Sequence, residues 1–158
     1  MRGVIPKDLE KKDIFWRKDL DTLEKRLVLF DLLLPYFKIE TIASILTISL
    51  IEQPTKIPNN NAFGIHPWKE NFPWGWDKNF WVFKPNGYFI CKEGTTKQPA
   101  CYFSFEYLIH SCVFVGKVIE KRNIYDGEKY TKKWVGSYNK NLEIIFDNLY
   151  SKILKKIS

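Results

Sequence analysis

One helix decides most of what this chain can build. From Thr41 to Glu52 the sequence reads "TIASILTISLIE", with Ile42, Ile45, Leu46 and Ser49 at i, i+3, i+4 and i+7 and apolar residues on nearly every side. Such a helix has no face to give to water, so the rest of the chain must wrap around it. Gln53-Pro54 stops it, since proline lacks the amide and disfavours helix in the residue before it. The last helical residue is a carboxylate, Glu52, on the same side as Ser49, Ile48 and Ile45. A carboxyl on an apolar face is partly desolvated, which raises its pKa, and the negative end of the helix dipole acts in the same direction. Those are the conditions for a general acid that still holds its proton near neutral pH. The plainer alternatives are a glutamate reaching solvent from the last turn, or one clamped by Asn59, Asn60 and Asn61.

Around this helix the periodicity predicts others. Leu20, Leu23, Leu27, Phe30 and Leu34 predict one amphipathic helix closed by Pro35. Leu108, Cys112, Val115 and Ile119 trace another, with Ser104 as N-cap and Glu106 in its first turn. Leu142, Ile145, Leu149, Ile153 and Ile157 trace the last. Between Pro54 and Ala100 the helical pattern gives way to prolines, glycines, asparagines and aromatics. There "NFWVF" and "GYFIC" flank "KPNG", which predicts a β-hairpin, with Pro85 presetting the turn and Gly87 supplying positive φ. The expected fold is α+β and mainly α: one domain over 1–158, with an extension over 1–18 and a small aromatic β-lobe over 54–100. Two unlike lobes on one core favour a cleft at their junction.

The net charge of +7 implies an anionic partner, and nucleic acid, anionic lipid and acidic wall polymer all qualify. Ten basic and five acidic residues lie from Lys117 onward, so most of the excess sits in the last quarter. Three cysteines, Cys91, Cys101 and Cys112, and two histidines offer no metal-ligand spacing, so neither a zinc site nor a disulfide framework is expected. Reduced thiols are the default, with a Cys91–Cys101 bridge as the alternative. His66 and His110 form no nucleophilic set with a serine or cysteine; a loop role for His66 and a core or edge role for His110 are expected. No apolar signal segment opens the chain, and its longest apolar runs are too short to span a bilayer.

Four of the six tryptophans, Trp68, Trp74, Trp76 and Trp81, follow the asparagines within a short span. Sugars present flat C–H faces ringed by hydroxyls, which aromatic platforms and amide side chains bind. Packing the small lobe is the competing use of each indole. Base stacking beside a basic surface is a rival reading, but no single-strand module or phosphate-spaced glycine loop accompanies it.

The stretch "IASILTISLIEQ…NNNAFGI" resembles the glucosaminidase family of lysozyme-like glycoside hydrolases, which includes phage-type peptidoglycan hydrolases. In that family a catalytic glutamate ends a helix, and a short loop leads to Asn-Asn-x-Phe-Gly-Ile. "CYFSFEYLIHSCVFVGKVI" is similar to the family's aromatic–Ser–x–Glu helix, and "YTKKWVGSYN" to its late aromatic segment. The resemblance spans Pro35 to Tyr150. It implies a lysozyme-like fold and cleavage of peptidoglycan glycan between N-acetylglucosamine and N-acetylmuramic acid, with no cofactor. Glu52 would be the general acid. Asn60, Asn61, Phe63 and Gly64 would shape the cleft floor, Trp68 and Trp81 would line it, and Tyr138 would sit beside the acid. Where the family continues its glutamate with serine and glycine, this chain has Gln53-Pro54.

Glycosidases commonly use a second carboxylate, about 5–5.5 Å from the first when retaining and about 6.5–9.5 Å when inverting. The family places its second acid on the β-lobe, which selects Glu93, with Asp77 and Glu70 as alternatives. A substrate-assisted route needs none. The implied partner is peptidoglycan, reached through a virion, lysis or a secretion apparatus, and nucleic acid is the lesser reading. The alternative function is a virion or wall module that grips glycan without cutting it.

Overall fold

The computed structural model describes residues 20–52, 59–67, 85–92 and 97–158. The expectations for the N-terminal extension, the "NFWVF" strand, Trp68, Trp74, Trp76, Trp81, Glu70, Asp77 and Glu93 lie outside the described residues. Within them the chain is mainly helical, with one two-stranded antiparallel sheet.

The central helix forms as its pattern demands. Helix α3, which follows two shorter helices, runs Ile39–Ile51, and every residue from Thr41 to Ser49 is buried. Hydroxyls inside such a helix need partners, and the helix supplies two itself: Thr47 Oγ1 donates to the Ala43 carbonyl at 2.7 Å and Ser49 Oγ to Leu46 at 2.6 Å. Glu52 caps it with φ −98° and ψ 64°, its amide still donating to the Ile48 carbonyl at 2.7 Å.

The single helix expected from Leu20 to Leu34 is two, α1 Leu23–Arg26 and α2 Val28–Leu33. Arg26 stands on the apolar face of that run and is fully buried, so its guanidinium must find acceptors inside the fold. Its Nε donates to the Leu20 carbonyl at 2.7 Å, and Nη1 donates to the Ser49 carbonyl at 2.8 Å and to Ser49 Oγ at 3.2 Å. The charge therefore serves the C-terminal turn of α3, where it opposes the helix dipole.

Strand β1, Gly87–Lys92, pairs with β2, Pro99–Ser104, in the register Gly87 to Ser104 through Lys92 to Pro99. "GYFIC" is thus a strand, but its described partner follows it rather than preceding it, and Gly87 opens the strand. Cys91 stands opposite Ala100 and Cys101 opposite Ile90, so the two thiols occupy opposite faces of the hairpin, against the alternative of a bridge between them. Phe103 and Phe105 carry the hairpin into the core through Phe114, with ring centroids 5.6 Å and 5.8 Å away.

Helix α4, Leu108–Arg122, starts later than expected. Ser104 ends β2, and Tyr107 is the N-cap without a side-chain bond. The expected apolar face is buried, and Gly116 lets Phe37 lie against the helix, since a Cβ there would be 2.4 Å from the ring. Asn123 closes α4 in the left-handed region at φ 54°.

Two helices complete the described fold: α5, Gly127–Lys133, and α6, Lys140–Ile157. Asp126 caps α5 by accepting from the Lys129 amide, and Asn139 caps α6 by accepting from Asn141 and Leu142. The buried face of α6 is rotated from expectation: Phe146 and Ile153 are buried, whereas Ile145 is 45% exposed. Helix α3 packs against α4 and α6, and α5 lies on α6. The last contact depends on Gly127, whose amide donates to Asp147 Oδ1 at 2.8 Å, and whose missing Cβ would stand 2.2 Å from the Glu143 carbonyl oxygen. Gly127→Ala should therefore force α5 from its seat and lower stability by about 1–3 kcal/mol, read as a shift in urea midpoint at constant slope.

Candidate functional site

The buried helix and the short α5 meet at one carboxylate. Glu52 is half-buried, and Tyr130 Oη donates to its Oε1 at 2.7 Å. No ion pair engages Glu52 among the described residues, and its Oε2 has no hydrogen-bond partner among them. Burial, then the charge of Glu52 and the bond to it, raises the Tyr130 hydroxyl above the ordinary tyrosine range. The phenol therefore remains a donor through the neutral range and fixes the direction of the carboxyl group.

Tyr130 is held on three sides. Phe146 of α6 stacks on its ring at 4.9 Å and 20°. The Gly127–Asp147 bond seats the start of α5, one turn before. At the other end Arg122 Nη1 donates to the Lys133 carbonyl at 3.0 Å, and Lys133 Nζ donates to the Arg122 carbonyl at 3.1 Å. Each cation thus neutralises the open carbonyls at the other helix's C-terminal end.

The tyrosine beside the acid is not Tyr138. That residue is 49% exposed, donates to Glu143 Oε2 at 2.5 Å, and has Lys132 Nζ 5.6 Å from its ring centroid. The segment "YTKKWVGSYN" does supply the tyrosine, but through its first residue. The "YDG" before it contains the local signal, because Asp126 caps a helix that turns Tyr130 inward between exposed Lys129 and Lys132.

The asparagine turn is built for its own backbone. Asn59 and Asn60 take left-handed φ of 61° and 62°, and Gly64 takes 62°, a region that asparagine and glycine tolerate best. Asn61 is fully buried. Its Nδ2 donates to the carbonyls of Ile65 at 2.8 Å and Phe103 at 2.9 Å, while its Oδ1 accepts from the Ile65 amide at 2.8 Å. Asn60 Nδ2 donates to the Phe105 and Glu106 carbonyls at 3.2 Å and 2.8 Å. These amides tie the turn to β2 and the start of α4, so the expected clamp exists but closes on backbone rather than on Glu52. Asn60 Oδ1 is buried without a hydrogen-bond partner among the described residues. Phe63 is buried and packs in the core. Asn61→Ala removes three buried bonds and should cost about 2–4 kcal/mol, measurable by thermal or urea unfolding.

The histidines stand where loop and edge roles place them. His66 Nδ1 hydrogen-bonds the Cys101 carbonyl at 2.9 Å, and its ring lies 4.3 Å from that of Tyr102. His110 is half-buried in the first turn of α4, edge-on to Tyr107 at 5.3 Å. Desolvation lowers its pKa below the ordinary 6.5, against the weaker opposing charge of Glu106. The native state therefore binds fewer protons than the unfolded chain around that pH, so stability should fall as pH drops through about 6.5. His110→Gln should flatten this part of the stability–pH curve.

Among the described residues no group of histidine, cysteine, aspartate and glutamate side chains could hold a metal ion. What the arrangement offers chemically is one oriented carboxyl group at a helix end, backed by a phenol donor. Compared with known proteins, the chain matches no family model, no curated protein and no solved structure.

Proposed function

We propose that the protein is a peptidoglycan hydrolase of lysozyme-like fold, cleaving glycan between N-acetylglucosamine and N-acetylmuramic acid with Glu52 as general acid. The observation that carries this reading is the 2.7 Å bond from Tyr130 to Glu52 at the end of the buried helix α3. It supports the reading in two ways: the carboxyl is half-buried rather than free in water, and its second oxygen keeps no partner among the described residues. A proton donor needs such a fixed direction and one open oxygen. The substrate would lie in a cleft between the helices and the β-lobe, with Trp68 and Trp81 as platforms. Glu93 would be the second carboxylate.

Tyr130 takes the supporting role that the resemblance gives to a late tyrosine. Its hydroxyl holds the acid and does not itself transfer a proton. Tyr130→Phe should lower kcat about 3- to 10-fold with KM little changed, the cost of one neutral hydrogen bond that orients the carboxyl group. Clearing of a wall suspension, followed at several substrate concentrations, measures both constants.

A second reading has its own support. Gln53-Pro54 stands where the resembled family continues its glutamate with serine and glycine. A wall module that grips glycan without cutting it needs no serine hydroxyl beside Glu52. Capture of the protein on sacculi with no release of reducing ends would select this second reading.

A further inference from the structure

We infer that the outward face of α6 is a docking surface for an anionic lipid bilayer. This goes beyond the proposed hydrolase and does not depend on it. Helix α6 has 18 residues, about 27 Å of straight surface. Lys140, Ile144, Asn148, Ser151 and Lys155 recur at i, i+4, i+8, i+11 and i+15, forming one stripe. Asn141, Ile145, Lys152 and Lys156 form the stripe beside it. Every residue of both stripes is exposed, and neither contains an acid.

The two acids of α6 are turned aside and engaged. Glu143 accepts from Tyr138, and Asp147 accepts from the Gly127 amide at the start of α5. Lys156 pairs with Glu24 at 3.0 Å and Lys152 shares the field of that carboxylate, whereas Lys140 and Lys155 enter no ion pair among the described residues. The face thus carries a net positive charge, Lys140 at one end and Lys152, Lys155 and Lys156 toward the other, with Glu24 as the ion-pair partner of Lys156 among the described residues.

Charge alone would fit any polyanion, and the isoleucines make the choice. Ile144 is 48% exposed and Ile145 45% exposed, adjacent and set between the lysines. A soluble polyanion gains nothing from two apolar side chains, whereas a bilayer takes up both, with phosphates for the lysines and the acyl boundary for the isoleucines. A second copy of the chain would bring lysine against lysine, so self-association through this face is opposed by its charge.

The test is co-sedimentation of the whole chain with vesicles, beside retention on immobilised polyphosphate. The protein should partition onto mixed phosphatidylglycerol–phosphatidylcholine vesicles and not onto phosphatidylcholine alone. Lys140→Gln, Lys152→Gln and Lys155→Gln should each weaken vesicle binding about fivefold, and added salt should mimic them. Ile144→Ser with Ile145→Ser should weaken it about tenfold while leaving retention on polyphosphate unchanged. All five positions are exposed, so each variant should keep the wild-type melting temperature, which is checked first. Glu52→Gln should bind vesicles as the wild type does, which separates this inference from the hydrolase reading. The inference is overturned if anionic vesicles are not bound or if the isoleucine pair makes no difference. A dimer that the isoleucine variant dissolves, or a preference for polyphosphate over vesicles, overturns it too.

Discussion

Glu52→Gln is expected to abolish wall lysis while leaving the fold intact. Glutamine has the same shape, and its carbonyl oxygen can still accept the bond that Tyr130 now donates to Oε1 at 2.7 Å. What it lacks is a transferable proton. Positioned acids and bases contribute about 10²–10⁴ in rate, so clearing of a wall suspension should fall by at least that order. The melting temperature should move little, because half-buried Glu52 makes no ion pair among the described residues that the change would break. Paired with Tyr130→Phe the substitution forms a cycle. If the tyrosine acts only through the acid, its loss should have no further effect once the acid is gone.

The largest expected loss of stability comes from a residue far from Glu52 in sequence. Arg26→Ala should cost about 3–5 kcal/mol, a substantial share of the roughly 5–15 kcal/mol available to an ordinary domain. Arg26 is fully buried and donates to the Leu20 carbonyl, the Ser49 carbonyl and Ser49 Oγ. Burial pulls its pKa down to about 10, while the nearby charge of Asp21 acts the other way. Alanine would leave buried carbonyls without donors and a cavity where the guanidinium lay. Arg26→Lys keeps the charge but loses the planar fork, so it should recover only part of the loss. Urea unfolding of the three proteins gives the order directly. Because Ser49 is one turn before Glu52, the alanine variant should also loosen the end of α3 and depress activity in the fraction that remains folded.

The sequence made the elements with a strong apolar period legible and left their edges open. Helix α3 was readable because its pattern admits no solvated face, and the buried run Thr41–Ser49 follows from that alone. The break at Leu27 was not readable, because periodicity counts Arg26 as a gap in the apolar stripe rather than as a group that needs carbonyls. Ser104 had the chemistry of an N-cap, yet strand pairing with Gly87 claimed it. On α6, Ile145 and Phe146 are neighbours that each satisfy a helical period, and the stacking of Phe146 between Tyr130 and Tyr150 decides which turns inward.

The same division holds at the site. Glu52 was visible because one carboxylate ended an apolar helix. Its partner was not, because the cap at Asp126 places Tyr130 on a helix, whereas only the packing of Phe146 on its ring decides that this tyrosine and not the 49% exposed Tyr138 reaches Glu52. The asparagines were read as sugar-binding amides or as a clamp on Glu52, and the amides of Asn60 and Asn61 bond backbone carbonyls instead. Sequence could not say whether their amides face a ligand or the backbone, since either use suits the same side chain.

The central claim is that Glu52 gives a proton to a glycosidic oxygen. Digestion of purified peptidoglycan, with mass analysis of the fragments and a count of reducing ends, tests it most directly. The account predicts soluble fragments cut between N-acetylglucosamine and N-acetylmuramic acid, released by the wild type and absent with Glu52→Gln. Glycan bound but returned whole, or fragments released equally by the glutamine variant, would contradict it.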